Sequence, residues 1–225
     1  MNNTPKRPEL AIFDLDNTLL NGDSDLNWGL FLADKGVVDA DAHRQANEDF
    51  YRQYHEGTLN INEFLAFALK PLSEHPMYTL LEWRKEFMQE RIEPIVLPKA
   101  EALVEQHRAK GRRLLIITAT NRFVTEPIAA RFGIGDLLAT DAEIIDGCFS
   151  GRVQGTPCYQ EGKISRLHAW LKSQQIDNPE TWFYSDSHND IPLLSEVDHP
   201  VAVDPDAELQ LHAKRHGWQQ ISLRN

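Results

Sequence analysis

The sequence predicts an α/β fold built on a doubly wound parallel sheet, and three observations support this prediction. Short, continuous apolar runs recur along the 225 residues. Runs that are continuous rather than alternating are typical of parallel strands covered on both faces. Helical patterns separate the runs, as is typical of the doubly wound class. One interval after the first strand contains only helical patterns, which predicts a helical insertion.

The predicted strands are five apolar runs that end in polar or turn residues. In chain order they are residues 9–16, 112–120, 181–186, 199–205 and, with a weaker pattern, 217–223. The helical patterns between them cover residues 98–111, 124–135, 161–174 and 190–197. The remaining interval, residues 137–153, contains Asp-Gly and Ser-Gly pairs, which predict a β-hairpin.

The helical insertion is predicted to divide the chain into two domains. Residues 22–95 contain four helical patterns and no convincing strand. Pro94 and Pro98 then interrupt the chain and mark its return to the sheet. We therefore expect a core domain formed by residues 1–21 and 96–225, with residues 22–95 as a helical domain.

Composition and charge argue against membranes and nucleic acids as partners. No run approaches the ~18 apolar residues of a membrane span, so we expect no membrane association. The net charge of −11 argues weakly against nucleic acid. The N-terminus has no apolar segment of the secretory type, and Cys148 and Cys158 have neither metal-ligand nor redox spacing. These features predict a cytoplasmic protein with reduced thiols; the oligomeric state stays open.

Chemically active side chains follow three of the predicted strands. In an open α/β sheet, ligands bind beyond the carboxyl ends of the strands, so these side chains are expected to converge. They are Asp14, Asp16, Thr118, Thr120, Asp186 and Asp190, with Lys163 at the start of a predicted helix. Carboxylates held this close stay ionised together only around a cation, and hard oxygen ligands favour Mg²⁺ over Zn²⁺. A lysine and a hydroxyl beside such a metal suit a phosphate, so the residues predict phosphoryl chemistry.

The same residues match four motifs of a known family, in order. The stretch "DLDNTLL" resembles the DxDx[TV] signature of the haloacid dehalogenase superfamily. Thr118 and Lys163 match its second and third motifs, and "SDSHND", with Asp186 and Asp190, matches the fourth. The resemblance implies a Rossmann-like, doubly wound parallel core with an inserted helical C1 cap. Within the superfamily, the chain is most similar to the phosphoserine phosphatase-like branch, which includes bacterial members named histidinol-phosphatases.

The resemblance also implies a mechanism. Asp14 would attack phosphorus and form an aspartyl-phosphate, while Asp16 would protonate the leaving group and later deprotonate water. The carboxylates of Asp14 and Asp186 and the backbone carbonyl of Asp16 would bind Mg²⁺, and Asp190 would orient that metal site. Two further residues, Thr118 and Lys163, would hold the phosphoryl oxygens.

The predicted substrate is a small phosphorylated metabolite that carries an amino group, of the phosphoserine or histidinol phosphate type. In phosphoserine phosphatases a glutamate nine residues after the nucleophile contacts the substrate's amino group, and here that position is Asp23. Thr120 and Arg122 are further candidates for substrate contacts. Helix capping explains Asp23 equally well, and a surface salt bridge explains Arg122 equally well.

Three alternatives remain open from the sequence. A phosphotransferase would keep the covalent step and pass the phosphoryl group to another alcohol. A phosphatase of lipid head groups would be expected to carry a membrane-binding segment, which the sequence lacks. The non-enzymatic alternative is a catalytically silent binding module, and the complete set of motif residues counts against it.

Overall fold

The computed structural model describes residues 7–224, and within them the strands form one sheet. The strands are β1 (Glu9–Phe13), β2 (Arg113–Asn121), β3 (Asp136–Ile145), β4 (Cys148–Gln154), β5 (Glu180–Ser185), β6 (His199–Val203) and β7 (Gln219–Ile221). Their spatial order is β4-β3-β2-β1-β5-β6-β7, with parallel pairing except between β3 and β4. This order confirms the predicted α/β class with a doubly wound, mostly parallel sheet.

Helices connect the strands and cover the sheet. They are α1 (Ser24–Asp34), α2 (Ala40–His55), α3 (Ile61–Ser73), α4 (Met77–Phe87), α5 (Pro98–Ala109), α6 (Arg122–Arg131), α7 (Glu161–Ser173), α8 (Ile191–Leu194) and α9 (Ala207–His216). A π-helical turn over Met88–Ile92 and a 3₁₀ turn over Glu93–Ile95 continue α4, and another 3₁₀ turn covers His188–Asp190. In the part of the chain that the structure describes, no helix is long and apolar enough to cross a membrane.

The central strand β1 contributes to two hydrophobic clusters because its side chains alternate between the faces of the sheet. Ala11 and Phe13 belong to one cluster, and Leu10 and Ile12 belong to the other. These residues are almost fully buried. The burial explains the continuous apolar pattern that predicted a parallel strand.

The chain changes direction across the sheet beside β1. Strands β1, β2 and β3 follow one another towards one edge, and β5, β6 and β7 extend from β1 towards the other. Phe13 pairs with Ile116 of β2 on one side and with Tyr184 of β5 on the other. The carboxyl ends of these three strands therefore lie together at the topological switch point, where ligands bind in this class of sheet.

Helices α1 to α4, which we call the insertion, leave and rejoin the core at adjacent points. Leu20 pairs with Val96 in an antiparallel bridge, and Asn21 N–H donates to the carbonyl of Ile95. The division into a core domain and a helical domain over residues 22–95 stays a prediction. Residues 1–6 and 225 of the predicted core domain lie outside the described residues, as does most of the N-terminal segment used to predict location.

The structure differs from the predicted β-hairpin in the first half of residues 137–153. The antiparallel hairpin is present, and Asp146 and Gly147 adopt positive φ angles at its turn. The first half of β3, however, pairs in parallel with β2, so Leu137 and Leu138 extend the main sheet. The sequence did not predict the parallel pairing, because the single strand β3 pairs with β2 in its first half and with β4 in its second half. The register shifts once in each of these two pairings.

Candidate active site

Asp14 and Asp16 lie directly after β1, where the chain turns sharply. The Asp14 N–H donates to the carbonyl of Tyr184 on the adjacent strand, at 2.9 Å. Three successive N–H groups, those of residues 18–20, then donate to the carbonyl of Leu15, and Asn17 has a positive φ of 56°. The turn therefore holds both carboxylates at the end of the strand.

Lys163 joins the end of β1 to the turn after β5. Its Nζ atom lies 2.8 Å from Oδ1 of Asp14 and 2.8 Å from Oδ2 of Asp190. All three side chains are buried, and Ser185 Oγ also donates to Oδ2 of Asp190 at 2.7 Å. Burial acts to lower the pKa of Lys163, but the charges of Asp14 and Asp190 outweigh it and hold that pKa above its ordinary value. The lysine is therefore a fixed cation at the base of the site.

Thr18 links Asp14 to Asp186. Its hydroxyl oxygen lies 3.3 Å from Oδ2 of Asp14 and 3.1 Å from Oδ1 of Asp186, and it accepts a hydrogen bond from the Asp186 N–H. A hydroxyl has one proton, so it donates to one of these carboxylates at a time. Burial, as the largest cause, raises the pKa of Asp14 to about 7 and raises that of Asp186 well above its ordinary value.

Asp16 contacts both the core and the insertion. Its Oδ2 accepts from Thr120 Oγ1 at 2.8 Å and from Thr118 Oγ1 at 3.4 Å. Its Oδ1 accepts from the backbone N–H of Ser24, at the start of α1, at 2.6 Å. Burial raises the pKa of Asp16 to about 6. The structure thus brings the predicted residues Asp16, Thr118 and Thr120 together.

A cavity of about 120 Å³ lies above these residues, between the core and the insertion. The apolar part of its wall comes from α2, α3 and the segment between them, and includes Phe50, Tyr54, Leu59, Ile61 and Phe64. The polar part contains the carboxylates of Asp14, Asp16, Asp23, Asp25, Asp186, Asp190 and Asp206. Among the lining residues within 7–224, Lys163 is the one lysine or arginine. A cavity of this size and composition suits a small ligand that brings positive charge.

The insertion is hydrogen-bonded to the core across the cavity. Tyr54 Oη, near the end of α2, donates to Ser187 Oγ at 2.8 Å, and Asn189 Nδ2 donates to the carbonyl of Tyr54 at 3.4 Å. Within the core, Tyr159 Oη donates to Oδ1 of Asn189 at 2.8 Å and fixes that side chain. The two bonds of Tyr54 hold the insertion closed over the carboxyl end of the sheet.

Asp23 both caps a helix and lines the cavity. Its Oδ1 accepts from the backbone N–H groups of Asp25 and Leu26, at 2.8 and 2.9 Å, in the first turn of α1. Burial raises its pKa. The two interpretations of this residue from sequence are therefore compatible.

The structure does not bring Arg122 to the cavity. Its Nε donates to Oδ1 of Asp141 at 2.5 Å, and its Nη2 donates to the carbonyl of Leu137. Asp141 stands on the neighbouring strand β3, and Arg122 is not among the residues that line the cavity. Arg122 therefore forms the kind of salt bridge that the sequence allowed as the alternative to a substrate contact.

Sequence reasoning missed several residues that shape the site. Thr18 stands in the quoted motif "DLDNTLL" and could have been selected from it. Asp25, Tyr54 and Asn121 carry no comparable local signal, because their roles depend on contacts between segments far apart in sequence. The hydrogen bond between Tyr54 and Ser187, for example, spans 133 residues.

Comparison with known proteins identifies the family. A family model described as haloacid dehalogenase-like hydrolase matches residues 11–195. The chain belongs to this family. The histidinol-phosphatase of Neisseria meningitidis is 45% identical over 219 residues, which cover 96% of this chain and 99% of that protein. Phosphoserine phosphatase SerB1 of Mycobacterium tuberculosis is 31% identical over 95% of this chain and 70% of that protein.

Solved structures share the fold of this chain. A Bordetella pertussis protein of unknown function matches with a TM-score of 0.92 and 41% identity, over 97% of this chain and 100% of that chain. A phosphoserine phosphatase with bound substrate matches with a TM-score of 0.72 over 98% of this chain and 95% of that chain. Its 19% identity supports the fold alone. The predicted Rossmann-like core and membership of the haloacid dehalogenase hydrolases are confirmed, and with them the prediction of an enzyme.

Proposed function

We propose that the chain is a Mg²⁺-dependent phosphomonoesterase that hydrolyses a small, amino-bearing phosphomonoester through an aspartyl-phosphate on Asp14. The observation that carries this proposal is the position of Lys163 between Asp14 and Asp190 at the base of a closed cavity. The relatives named histidinol-phosphatase and phosphoserine phosphatase support the same reaction class. A cytoplasmic location and a role in amino-acid metabolism accompany this proposal as predictions.

Asp14 is assigned as the nucleophile and Asp16 as the acid and base. An oxygen of Asp14 forms a bond to phosphorus while the bond from phosphorus to the ester oxygen breaks, and Asp16 gives its proton to that leaving oxygen. In the second step Asp16 takes a proton from water as the water oxygen attacks phosphorus. The bond from phosphorus to Asp14 then breaks and inorganic phosphate leaves. The hydrogen bonds from Thr120 and the Ser24 N–H hold Asp16 in place for both transfers.

Lys163 and Thr118 are assigned to the phosphoryl oxygens. The lysine supplies a fixed positive charge beside Asp14, and the threonine hydroxyl lines the same cavity. Negative charge on the phosphoryl group is stabilised most by donors that are already in place before the reaction. The closed insertion limits the access of water during the first step.

The donor set fits Mg²⁺. Within residues 7–224, no group of three or more histidine, cysteine, aspartate or glutamate side chains forms a metal-binding cluster. The proposed set needs only two carboxylates, Asp14 and Asp186, with the carbonyl oxygen of Asp16. The buried carboxylate of Asp14 and the half-buried one of Asp186 share the single proton of Thr18, and their hard oxygen atoms suit Mg²⁺. When bound, the ion offsets the charge of the phosphoryl oxygens, while Asp190 acts on the site through Lys163.

A test of this function measures phosphate release from a panel of phosphoserine, histidinol phosphate, a glycerol-phosphate lipid and sugar phosphates. Wild type with Mg²⁺ is expected to release phosphate, and excess chelator or Asp14→Asn is expected to abolish the release. Asp146→Asn, in the exposed turn between β3 and β4, is the matched control. If little inorganic phosphate is released and an added acceptor alcohol becomes phosphorylated instead, the chain is a phosphotransferase. If release from every compound stays at the level of buffer, the phosphatase assignment is wrong.

A further inference from the structure

The carboxylates of the cavity outnumber the positive charges that the chain supplies. Lys163 pairs with Asp14 and Asp190, and Asp16 accepts hydrogen bonds from two hydroxyls and one backbone N–H. Asp206 accepts from the backbone N–H groups of His188 and Leu209 and lies 2.8 Å from Nδ1 of His188. The proposed Mg²⁺ accounts for Asp186. Two carboxylates at the start of α1, the N-cap residue Asp23 and Asp25 of the first turn, remain without a cation.

Asp25 is held in place from the core. Its Oδ1 accepts a hydrogen bond from Asn121 Nδ2 at 3.2 Å, and this is the one hydrogen bond to its carboxylate within residues 7–224. Asn121 ends β2 and is itself fixed, because its side-chain oxygen accepts from the Val124 N–H and caps α6. Burial and the charges of Asp23 and Asp16 raise the pKa of Asp25 to about 8. A carboxylate in this position gains most from a ligand that donates an N–H or brings positive charge.

A second observation beside Asp25 also points to a ligand. Asp25 and Asn47 line both the main cavity and a smaller cavity of about 10 Å³ that is also lined by Trp28. Trp28 is 2% exposed, and its buried indole N–H has no acceptor among the described residues. A buried donor without an acceptor is energetically unfavourable. The smaller cavity therefore has, beside Asp25, one buried N–H without an acceptor.

We infer that Asp25 determines substrate specificity by binding a second nitrogen group of the substrate, separate from the group at Asp23. This inference rests on the proposed function and narrows its substrate class. The substrate is a phosphomonoester of an amino alcohol that also carries a nitrogen base, with Asp23 and Asp25 receiving separate groups. An imidazole ring has an N–H donor, which complements the carboxylate of Asp25. Phe50 and Phe64 line the same cavity with rings 5.4 Å apart, and offer an apolar wall for a planar group.

The test compares substrate selectivity in wild type, Asp25→Asn and a matched control. A carboxylate in the first turn of a helix also stabilises the helix, so the control is Asp41→Asn in the first turn of α2. The probes are histidinol phosphate, which carries an amino group and an imidazole, and p-nitrophenyl phosphate, which carries neither. Asp25→Asn is expected to lower the ratio of kcat/KM for histidinol phosphate to that for p-nitrophenyl phosphate by about 10- to 100-fold. Asp41→Asn is expected to leave the ratio unchanged, and an unchanged ratio in Asp25→Asn would overturn the inference.

A binding measurement separates this inference from the proposed function. Histidinol, which lacks the phosphate, is titrated by calorimetry into wild type and into Asp25→Asn. Binding at least about tenfold weaker in the variant supports the contact even if the chain hydrolyses none of the phosphate esters. Equal binding to both proteins, or no binding to wild type, contradicts it. Failure of wild type to release phosphate from any ester counts against the proposed function and not against this contact.

Discussion

The Nζ atom of Lys163 lies 2.8 Å from Oδ1 of Asp14, although 149 residues separate the two in the sequence. The same ammonium group bonds Asp190, so one buried cation joins β1, α7 and the turn after β5. Neither carboxylate has another lysine or arginine beside it among the residues that line the cavity in the described chain. We therefore expect both the stability of the fold and the proposed reaction to depend on Lys163.

Replacing this lysine is expected to destabilise the fold as well as stop the reaction. Lys163→Met leaves Asp14 and Asp190 buried without their cation, which is expected to lower the free energy of unfolding by about 3–5 kcal/mol. Urea denaturation measures this change. Lys172→Met, on the exposed side of the same helix, is expected to change it by less than about 0.5 kcal/mol. Equal effects of the two substitutions would mean that the buried ion pairs do not stabilise the protein.

The position of Lys163 depends on the glycine before it. A Cβ atom at Gly162 would overlap the backbone oxygen of Pro157, so Gly162→Ala forces the start of α7 to move. We expect a loss of about 1–3 kcal/mol in stability and a fall in kcat, because Lys163 moves with the helix. Gly135→Ala is the control, since a Cβ there meets nothing within 4 Å. Wild-type kcat in Gly162→Ala would show that the lysine's position is not limited by this contact.

The closed insertion is expected to depend on the hydroxyl of Tyr54. Tyr54→Phe removes the hydrogen bond to Ser187, whose net contribution is about 1 kcal/mol, so closure is expected to weaken about fivefold. Hydrogen exchange in residues 187–190 should then accelerate, and KM should rise by a similar factor. Tyr78→Phe is the control, because Tyr78 is 73% exposed on α4. Exchange at the wild-type rate in Tyr54→Phe would contradict a role in closure.

Stability is expected to fall in acid because of His107 in α5. Its Nε2 lies 2.8 Å from Tyr184 Oη, and burial, together with the charges of Arg112 and Lys110, lowers its pKa from 6.5 to about 4. Between pH 6.5 and pH 4 the unfolded chain therefore binds more protons at this position than the folded chain, so the contribution of His107 to stability falls as pH falls through this window.

The difference between wild type and His107→Gln isolates this contribution from that of the carboxylates in the site. Wild type is expected to lose on the order of 2 kcal/mol relative to the variant between pH 7 and pH 4, as measured by urea denaturation. The control is His168→Gln, because that side chain is 60% exposed. Parallel pH dependence in wild type and His107→Gln would contradict the assignment.

The sheet and the base of the site could be predicted because local patterns determine them. Continuous apolar runs indicated the buried parallel strands, and strand ends in such a sheet converge, which brought Asp14, Thr118 and Asp186 to one edge. The parallel half of β3 could not be predicted in this way, because the pairing with β2 depends on where one strand changes partner.

The contacts with the insertion could not be predicted because they join segments without shared local signals. The direction of Arg122 depended on Asp141, which belongs to the neighbouring strand β3. Asp25 resembled an ordinary residue of the first helical turn until Asn121 and the cavity were located around it. Substrate contacts depend on residues that distant segments bring together. The sequence could therefore predict the class of reaction but not the residues that contact the substrate.

The most direct test of the central claim is to trap the phosphoryl group on the protein. Wild type is mixed with substrate and Mg²⁺, quenched in acid within one turnover and analysed by mass spectrometry of its peptides. We expect one added phosphoryl group on the peptide that contains Asp14, and none in Asp14→Asn. A phosphoryl group on a different residue, or full phosphate release by Asp14→Asn, would contradict the assignment of Asp14 as the nucleophile.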